Sequence, residues 1–413
     1  MSAKPRIFFT ELLRYGIVAL LSYGLLYAGS IFFVEKISFS PQLSYFITLS
    51  IIYIGVYLSY TSFVFKGCFN IKTLKRFILA LIYIWILNNA FFYLTNTILN
   101  IHYIIAITLN IFILGGVRFL LQKYYVFNEN NENKKVALTF DLELWHEGDW
   151  LKPFIKDEVN KKDALIESVT PLLMTLKKYN HKATFFVTDK VVRLYPNVIK
   201  SIFEEGHEIA SHSVGHQKLQ RISQETFKKE MGVHCLEIKK ITNKSPLGFR
   251  APHFSLNEET SWALPVLEDL GFVYDSSIFP IKTTEYGVKD APRNVYKISK
   301  ENIATHSETA TLIELPQSTL TTPLGRIPVG GGIYFRLLPL WIFSLMLSIA
   351  IKTNSTPMIY FHPHELYSKT PQIKGPFLKT LLKYWGVKRS FKKFKVLMKK
   401  FQFDSIENIW NFR

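Results

Sequence analysis

Two histidines stand four residues apart, His212 and His216, in the stretch EIASHSVGHQKL, residues 208–219. One turn of helix at that spacing would put both imidazoles on one side, where a divalent metal can bridge them. Two of the chain's 11 histidines falling so close says little by itself. Other chemically capable residues close similar short β-like runs: Asp141 and Glu143 in LTFDLE, Arg250 in GFRAPHF, Asp275 in VYDSSI and His362 in YFHPHEL. Two imidazoles and one carboxylate make a facial ligand set with coordination positions left open. His212, His216 and either Asp141 or Glu143 supply it. A metal so held lowers the pKa of water and polarises a carbonyl, which is what amide hydrolysis requires. A second carboxylate then takes a proton from water, and a separate histidine protonates the departing amine. Asp141 is the candidate base and His362 the candidate acid, with Arg250 and Asp275 orienting and tuning those two. A backbone N–H near His253 is the candidate contact for the oxyanion.

Further residues are candidates to shape the mouth of such a site. Trp145, His146 and Trp150 follow the first run in LWHEGDW, and His364 lies two residues past the candidate acid. Gly330-Gly331-Gly332 reads as a tight loop near the site, because glycine lets backbone approach closely. Tyr334 and Arg336 follow that loop as candidate substrate contacts, although no P-loop spacing supports phosphate binding by Arg336. His207 reads as a structural histidine of the turn before its strand.

The elements that must position these residues alternate. KKVALTF, HKATFFVT, HEIASHS, GFRAPHF, FVYDSSI, TLIELP and PMIYFH read as strands. DALIESVTPLLMTLKKY and SQETFKKEMGVHCLEIKKI read as amphipathic helices between them. Such alternation predicts a parallel sheet, and the count suits a barrel with its chemistry at the C-terminal ends of the strands. LTFDLE, ASHSVGH, GFRAPHF, VYDSSIFP and YFHPHEL fall in the order and spacing of five motifs, so that residues 136–400 resemble the NodB-type polysaccharide deacetylases of the carbohydrate esterase 4 class. The resemblance implies an α/β distorted (β/α)7 barrel, a zinc-like divalent metal and removal of N- or O-acyl groups from sugars. It implies Asp141 as base, His212 and His216 as metal ligands, His362 as acid and Arg250 as the arginine that holds the base. Asp141-Leu142-Glu143 replaces the more usual paired aspartates. The resemblance extends to branches of the family with an acid-x-acid form whose second acid takes the metal, which implies Glu143 as third ligand; residues two apart on a strand face the same way, so both carboxylates share one pocket. Pro252-His253 replaces the more usual proline-aromatic pair.

The chain has 413 residues, enough for two or three domains. Residues 128–135, NENNENKK, read as a polar linker. Before it, four apolar stretches at Tyr15–Val34, Leu43–Phe65, Phe77–Leu99 and Tyr103–Leu121 are each long enough to cross a bilayer as a helix of roughly 20 residues. The region repeats at an offset of 62: Arg14-Tyr15 aligns with Arg76-Phe77, and Phe63-Val64-Phe65 with Tyr125-Val126-Phe127. LLRYGIVALLSYG and RFLLQKYYVF resemble the GtrA-like membrane family, which implies an N-terminal all-α four-helix transmembrane domain over residues 1–127. Asn88 and Asn89 fall within its third stretch. Lys and Arg cluster on one expected side, which predicts that the catalytic half faces the cytoplasm from an inner membrane. The formal charge of +18 is ascribed to a membrane surface and not to nucleic acid. Residues 374–400 carry ten basic residues among aromatic ones, a candidate surface for anionic lipid. Cys68 and Cys235 give no disulfide framework.

Together these readings predict a membrane-tethered, metal-dependent deacetylase that removes an N-acyl group from a polyprenyl-phosphate-linked amino sugar at the cytoplasmic face. Two alternatives stand beside it. One is a deacetylase of exported polysaccharide or peptidoglycan, and the other a non-catalytic sugar-binding module serving a lipid-linked-sugar carrier. Membrane lipids and a lipid-linked or polymeric N-acylated sugar are the expected partners, and the sequence leaves the oligomeric state open.

Overall fold

The computed structural model describes residues 3–39, 41–65, 71–101, 103–127, 135–148, 154, 164–281, 283, 286–322, 325–353, 357–373 and 375–412. Most of the linker read at 128–135 and the candidate Trp150 lie outside the described residues, as do the side chains of Asn88 and Asn89. The chain divides into two compact units, Met1–Asn131 and Glu132–Arg413.

The first unit is helical: α1 (Ala3–Glu35), α2 (Pro41–Ser59), α3 (Ile71–Phe92) and α4 (Tyr103–Leu121). The last three each run into a π-helical turn, at Tyr60–Val64, Tyr93–Ile98 and Gln122–Val126. The internal repeat has a packing consequence. Tyr15 and Phe77, which begin the two halves, are buried with Val64, Val126 and Phe127, which end them. Tyr15 stacks on Tyr60 at 5.2 Å, and Phe65 stacks on Phe127 at 5.0 Å. The matched ends of the repeat thus meet in one aromatic cluster, whose offset and edge-on contacts favour such pairs.

The expected transmembrane character is not found. No helix among the described residues is long and apolar enough to cross a membrane. Lys72, Lys75 and Arg76 occupy the first turns of α3, and α1 includes Lys4, Arg6, Glu11, Arg14 and Glu35. The expectations of a four-helix transmembrane domain and of a multi-pass inner-membrane location with a cytoplasmic catalytic half are corrected accordingly.

In the second unit, strands form at all seven segments read as strands. β1 (Val136–Leu142) is followed by α5 (Leu165–Lys178), β2 (Thr184–Val187), α6 (Asp189–Leu194), α7 (Pro196–Glu204) and β3 (Glu208–Ser211). Next come α8 (Gln224–Thr242), β4 (Gly248–Phe249), α9 (Ala263–Asp269), β5 (Tyr274–Asp275), β6 (Tyr296–Lys297) and β7 (Ile313–Glu314). A hairpin of β8 (Thr319–Thr322) and β9 (Gly325–Pro328) precedes α10 (Gly332–Leu337), α11 (Leu340–Thr353) and β10 (Met358–Phe361). The chain ends with α12 (Pro363–Leu366), α13 (Phe377–Tyr384), α14 (Val387–Lys400), β11 (Phe403–Asp404) and α15 (Ile406–Trp410). Local signals fix the helix ends. The Ser223 hydroxyl accepts from the Thr226 N–H at the start of α8, and Asn243 ends that helix at φ 58°.

The sheet order is β10-β1-β2-β3-β4-β5-β7-β6, with β11 also paired to β1. Every pairing in it is parallel except β6 with β7. The expected (β/α)7 barrel is therefore an open, curled half-barrel. After β5 the chain turns back on itself through the antiparallel β6–β7 pair. It then spends β8 and β9 on a separate two-stranded sheet, so no strand bridges the β6 edge to β10 among the described residues.

Alternation along β1 divides its side chains between two faces. Val136, Leu138, Phe140 and Leu142 join the core beneath the helices, where Phe140 stacks on Phe185 at 5.0 Å. Ala137, Thr139 and Asp141 take the concave face. The apolar side of α14, Phe394, Leu397 and Met398, belongs to the same core as Phe140, which uses a helix that composition alone offers to lipid. On the concave side Gly248 faces the Tyr274 ring, and an added Cβ would lie 1.9 Å from it. Gly232, within α8, has only Leu270 at an ordinary 3.8 Å. Gly248→Ala is expected to lower stability by about 3 kcal/mol through overpacking. Gly232→Ala is expected to raise it by about 0.5–1 kcal/mol through helix propensity. Opposite shifts of the thermal midpoint check the pair.

Candidate active site

Strand ends deliver the site. Asp141 is the penultimate residue of β1, and Glu143 follows one residue beyond the strand on the same side. His212 comes directly after β3, with its N–H bonded to the Val187 carbonyl at 2.8 Å. His216 is not brought back by a helical turn, as its spacing suggests, but by a loop through left-handed backbone: Ser213 at φ 67°, Gly215 at 62° and His216 at 47°. The Asp189 carboxylate pins that loop by accepting from the Gly215 N–H at 2.8 Å. One ligand atom from each of Glu143, His212 and His216 lies within 4.8 Å of the others, and all three residues are buried.

The donor set fits a divalent cation. Nδ1 of His212 donates to the Arg250 carbonyl at 2.9 Å, which leaves Nε2 with a lone pair. Burial holds the His212 imidazole down at about 4, with His216 adding to the effect and the Asp141 and Glu143 charges opposing it. It is therefore neutral at pH 7, as a metal ligand must be. Nδ1 of His216 is buried with no hydrogen-bond partner among the described residues, and Nε2 of the same ring contacts Glu143 Oε2. Burial opposes ionisation of Glu143, yet the neighbouring His216 and His362 imidazoles hold its carboxyl well below the usual range. Two imidazoles and an ionised carboxylate suit zinc or a related ion.

Arg250 is fully buried. Nη1 donates to Asp141 Oδ1 at 2.6 Å and to Thr139 Oγ1 at 3.0 Å. Nε and Nη2 reach the Ser276 carbonyl and hydroxyl at 3.2 and 3.1 Å, and the Phe186 ring lies 4.0 Å from the guanidinium carbon. Oδ2 of Asp141 is left facing His362 Nε2 at 4.0 Å, and Glu143 Oε1 stands 3.7 Å from the same nitrogen. Burial lowers the His362 imidazole, but the Glu143, Glu365 and Asp141 carboxylates outweigh it and raise the group to about 9.

The remaining candidates separate. Asp275 is placed away from His362. It accepts from the Ser277 hydroxyl at 2.6 Å and N–H at 3.1 Å, and Ser277 in turn accepts from the Ala251 N–H at 2.7 Å. Burial raises both Asp275 and the adjoining Glu314, which share a hydrogen bond behind Arg250. His253, at φ 57°, lines the pocket with its ring 4.8 Å from that of His216. His364 lines it too, with its ring 5.2 Å from that of His362; burial and the His362 charge lower it to about 3. Tyr334 pairs instead with Tyr286. Trp145 is buried, its carbonyl accepting from Lys383 Nζ at 3.0 Å, and His146 lies edge-on against its ring. Arg336 is on the pocket wall but buried, bound to a residue that sequence reasoning passed over, Glu365. Glu365 is the N3 residue of a capping box whose N-cap is His362, so His-x-x-Glu before a short helix was the available signal. The pocket, of about 220 Å³, is also lined by Tyr360 and Lys383.

Residues 128–274 match the sequence model of the family described as polysaccharide deacetylase. The match is confined to this segment, which is similar to a polysaccharide deacetylase domain. Residues 276–411 match a second model, described as a domain of unknown function (DUF3473). The peptidoglycan-N-acetylglucosamine deacetylase PgdA of Listeria monocytogenes is 31% identical over 139 residues, which are 33% of this chain and 25% of that protein. The peptidoglycan-N-acetylglucosamine deacetylase of Bacillus cereus is 27% identical over 145 residues, 35% of this chain and 46% of that protein. The aligned part thus spans a quarter to under half of the length of these relatives. The solved structure of peptidoglycan deacetylase PdaC from Bacillus subtilis superimposes with a TM-score of 0.35 and 16% identity, over 68% of this chain and 92% of that one.

Purified protein is expected to take up a single divalent ion per chain. His212→Ala or Glu143→Ala should weaken that uptake by at least about 100-fold, the upper end of what loss of an outer-shell partner costs. Equilibrium titration with zinc, read by elemental analysis, checks it; unchanged affinity in both variants would place the metal elsewhere.

Proposed function

We propose that the chain is a metal-dependent carbohydrate N-deacetylase that hydrolyses the N-acyl group of an amino sugar within a polysaccharide. The observation that carries the reading is the placement of Asp141 and His362, 4.0 Å apart, beside the Glu143–His212–His216 set. A divalent ion held by those three residues would polarise the acyl carbonyl and lower the pKa of water. Asp141, its Oδ1 held by Arg250, has Oδ2 free to take a proton from the attacking water. His362 delivers a proton from Nε2 to the sugar nitrogen as the C–N bond breaks, so that the products are a free amine and a carboxylate. The half-barrel shields these groups: Asp141, Glu143, His212 and His216 are each 5% exposed or less, and only the His362 edge opens to solvent. Low dielectric strengthens every charge interaction among them. The named activities of the Listeria and Bacillus relatives support an N-acetylated polymer such as peptidoglycan as the substrate class.

A lipid-phosphate-linked amino sugar, such as a polyprenyl-phosphate derivative, is a second reading favoured by one feature. A cavity of about 1020 Å³ adjoins the pocket across Arg336, walled by Phe377, Leu381 and Trp385 and by Lys388 and Arg389. Apolar walls and exposed cations together suit an anionic, apolar aglycone.

Acetate release from an N-acetylated chitooligosaccharide and from a polyprenyl-phosphate N-acetyl amino sugar tests both readings. With the better substrate, Asp141→Asn is expected to lower kcat by roughly 10²–10⁴-fold while metal content stays the same. A variant as active as wild type would remove Asp141 from the mechanism, and metal-loaded wild type inert toward both would overturn the deacetylase reading.

A further inference from the structure

The segment that matches a domain without an assigned function, residues 276–411, contains His362 together with Glu365, which holds its inner ring nitrogen, and Arg336. We propose that this segment is the proton-donor half of the active site, with Arg336 and Glu365 as positioning residues that fix the His362 imidazole. For the chemistry of His362 the inference rests on the deacetylase reading.

Glu365 Oε2 accepts from both the His362 backbone N–H and the ring Nδ1, each at 3.0 Å. Its other oxygen, Oε1, accepts from Arg336 Nε at 3.2 Å and Nη2 at 3.0 Å. Nη1 of Arg336 then spans three carbonyls, those of Leu382, Lys383 and Trp385, at 3.1, 2.9 and 2.8 Å. Each nitrogen of the guanidinium is thereby used, and both oxygens of the carboxylate are engaged. Arg336 is 5% exposed and Glu365 8%. A buried ion pair of this kind is weak as a source of stability, because desolvation offsets most of the attraction. What the fork geometry supplies is direction. With Nδ1 committed to Glu365, Nε2 of His362 is turned toward Asp141 and Glu143, into the pocket.

The backbone around the pair is shaped for it. A Cβ on Gly332 would stand 1.8–2.5 Å from the atoms of the Glu365 carboxyl group. Gly386, at φ 76°, would bring its Cβ to 2.7 Å from the Arg336 carbonyl oxygen. The triple glycine of residues 330–332 thus acquires a role, since its last member leaves room for the carboxylate that holds the acid. Asp275 does not compete for this position, being bound to Ser277.

A capping box also stabilises its helix, so the test separates orientation from folding. Full-length, zinc-loaded protein labelled with 15N-histidine is compared with its Glu365→Gln and Gly332→Ala variants by 1H–15N spectroscopy and by steady-state kinetics on the N-acetylated chitooligosaccharide. The wild type is expected to show a slowly exchanging Nδ1–H proton on His362, and both variants to lose it. The ring signals of His181 and His234, anchored on the Met398 and Val187 carbonyls, should stay in place as reporters of an intact core. Turnover should fall about 10²-fold in kcat with KM changed by no more than about threefold. A His362 Nδ1–H that persists in both variants would overturn the proposal, as would displaced His181 and His234 signals, which would mark the pair as structural. Wild type that shows the Nδ1–H proton but releases no acetate would leave the positioning intact and count against the deacetylase reading alone.

Discussion

A guanidinium with no exposed surface organises the concave side of the half-barrel. Arg250 holds the Asp141 carboxylate through Nη1, and its own carbonyl accepts from Nδ1 of His212. One residue just past β4 therefore fixes the proposed base from β1 and the proposed metal ligand that follows β3. Burying such a charge is costly unless every donor is used. Thr139, Ser276 and the Phe186 ring complete its surroundings. Behind it, Asp275 and Glu314 share a hydrogen bond, and burial favours their protonated forms. Asp141 faces the Arg250 guanidinium, and the Glu143 carboxyl is held down by the His216 and His362 imidazoles.

The open sheet explains how two sequence families come to share one pocket. β1 pairs β2 on one side and β10 on the other, although more than 200 residues separate β1 from β10 in the chain. The first family segment, residues 128–274, contributes Asp141, Glu143, His212, His216 and Arg250, and the second contributes His362 with Arg336 and Glu365. The register Phe140↔Phe361 carries the two contributions to the same sheet edge. The half-barrel also leaves the His362 side open, where the larger cavity adjoins.

Much of the site is legible in the amino-acid sequence. Short apolar runs such as VALTF and MIYF read as buried strands, and a reactive side chain just past each run belongs at the mouth of a parallel sheet. Strand geometry puts Glu143 on the same side as Asp141, two residues away, and the family resemblance implies which of the two would take the metal. Other features are not, for reasons that lie in tertiary structure. The sheet stays open because β8 and β9 pair with each other, which no local pattern announces. His216 returns to the site through left-handed backbone at Ser213 and Gly215, while a four-residue spacing suggests a helix. Arg336 reads as a contact for substrate because its partner, Glu365, lies 29 residues away. The apolar N-terminal third suggests spanning helices because composition does not mark where helices stop. In the structure the last three end in π turns, and α2 and α4 are 19 residues long.

Arg250 is proposed to act on the reaction through Asp141. The most direct test is a double-mutant cycle of Arg250→Lys and Asp141→Asn on the rate of acetate release by metal-loaded protein. The account predicts that the double variant is slower than Asp141→Asn alone by no more than about threefold, as for residues that act as one unit. Losses that multiply would contradict it, because Arg250 would then serve catalysis by a route that does not pass through Asp141.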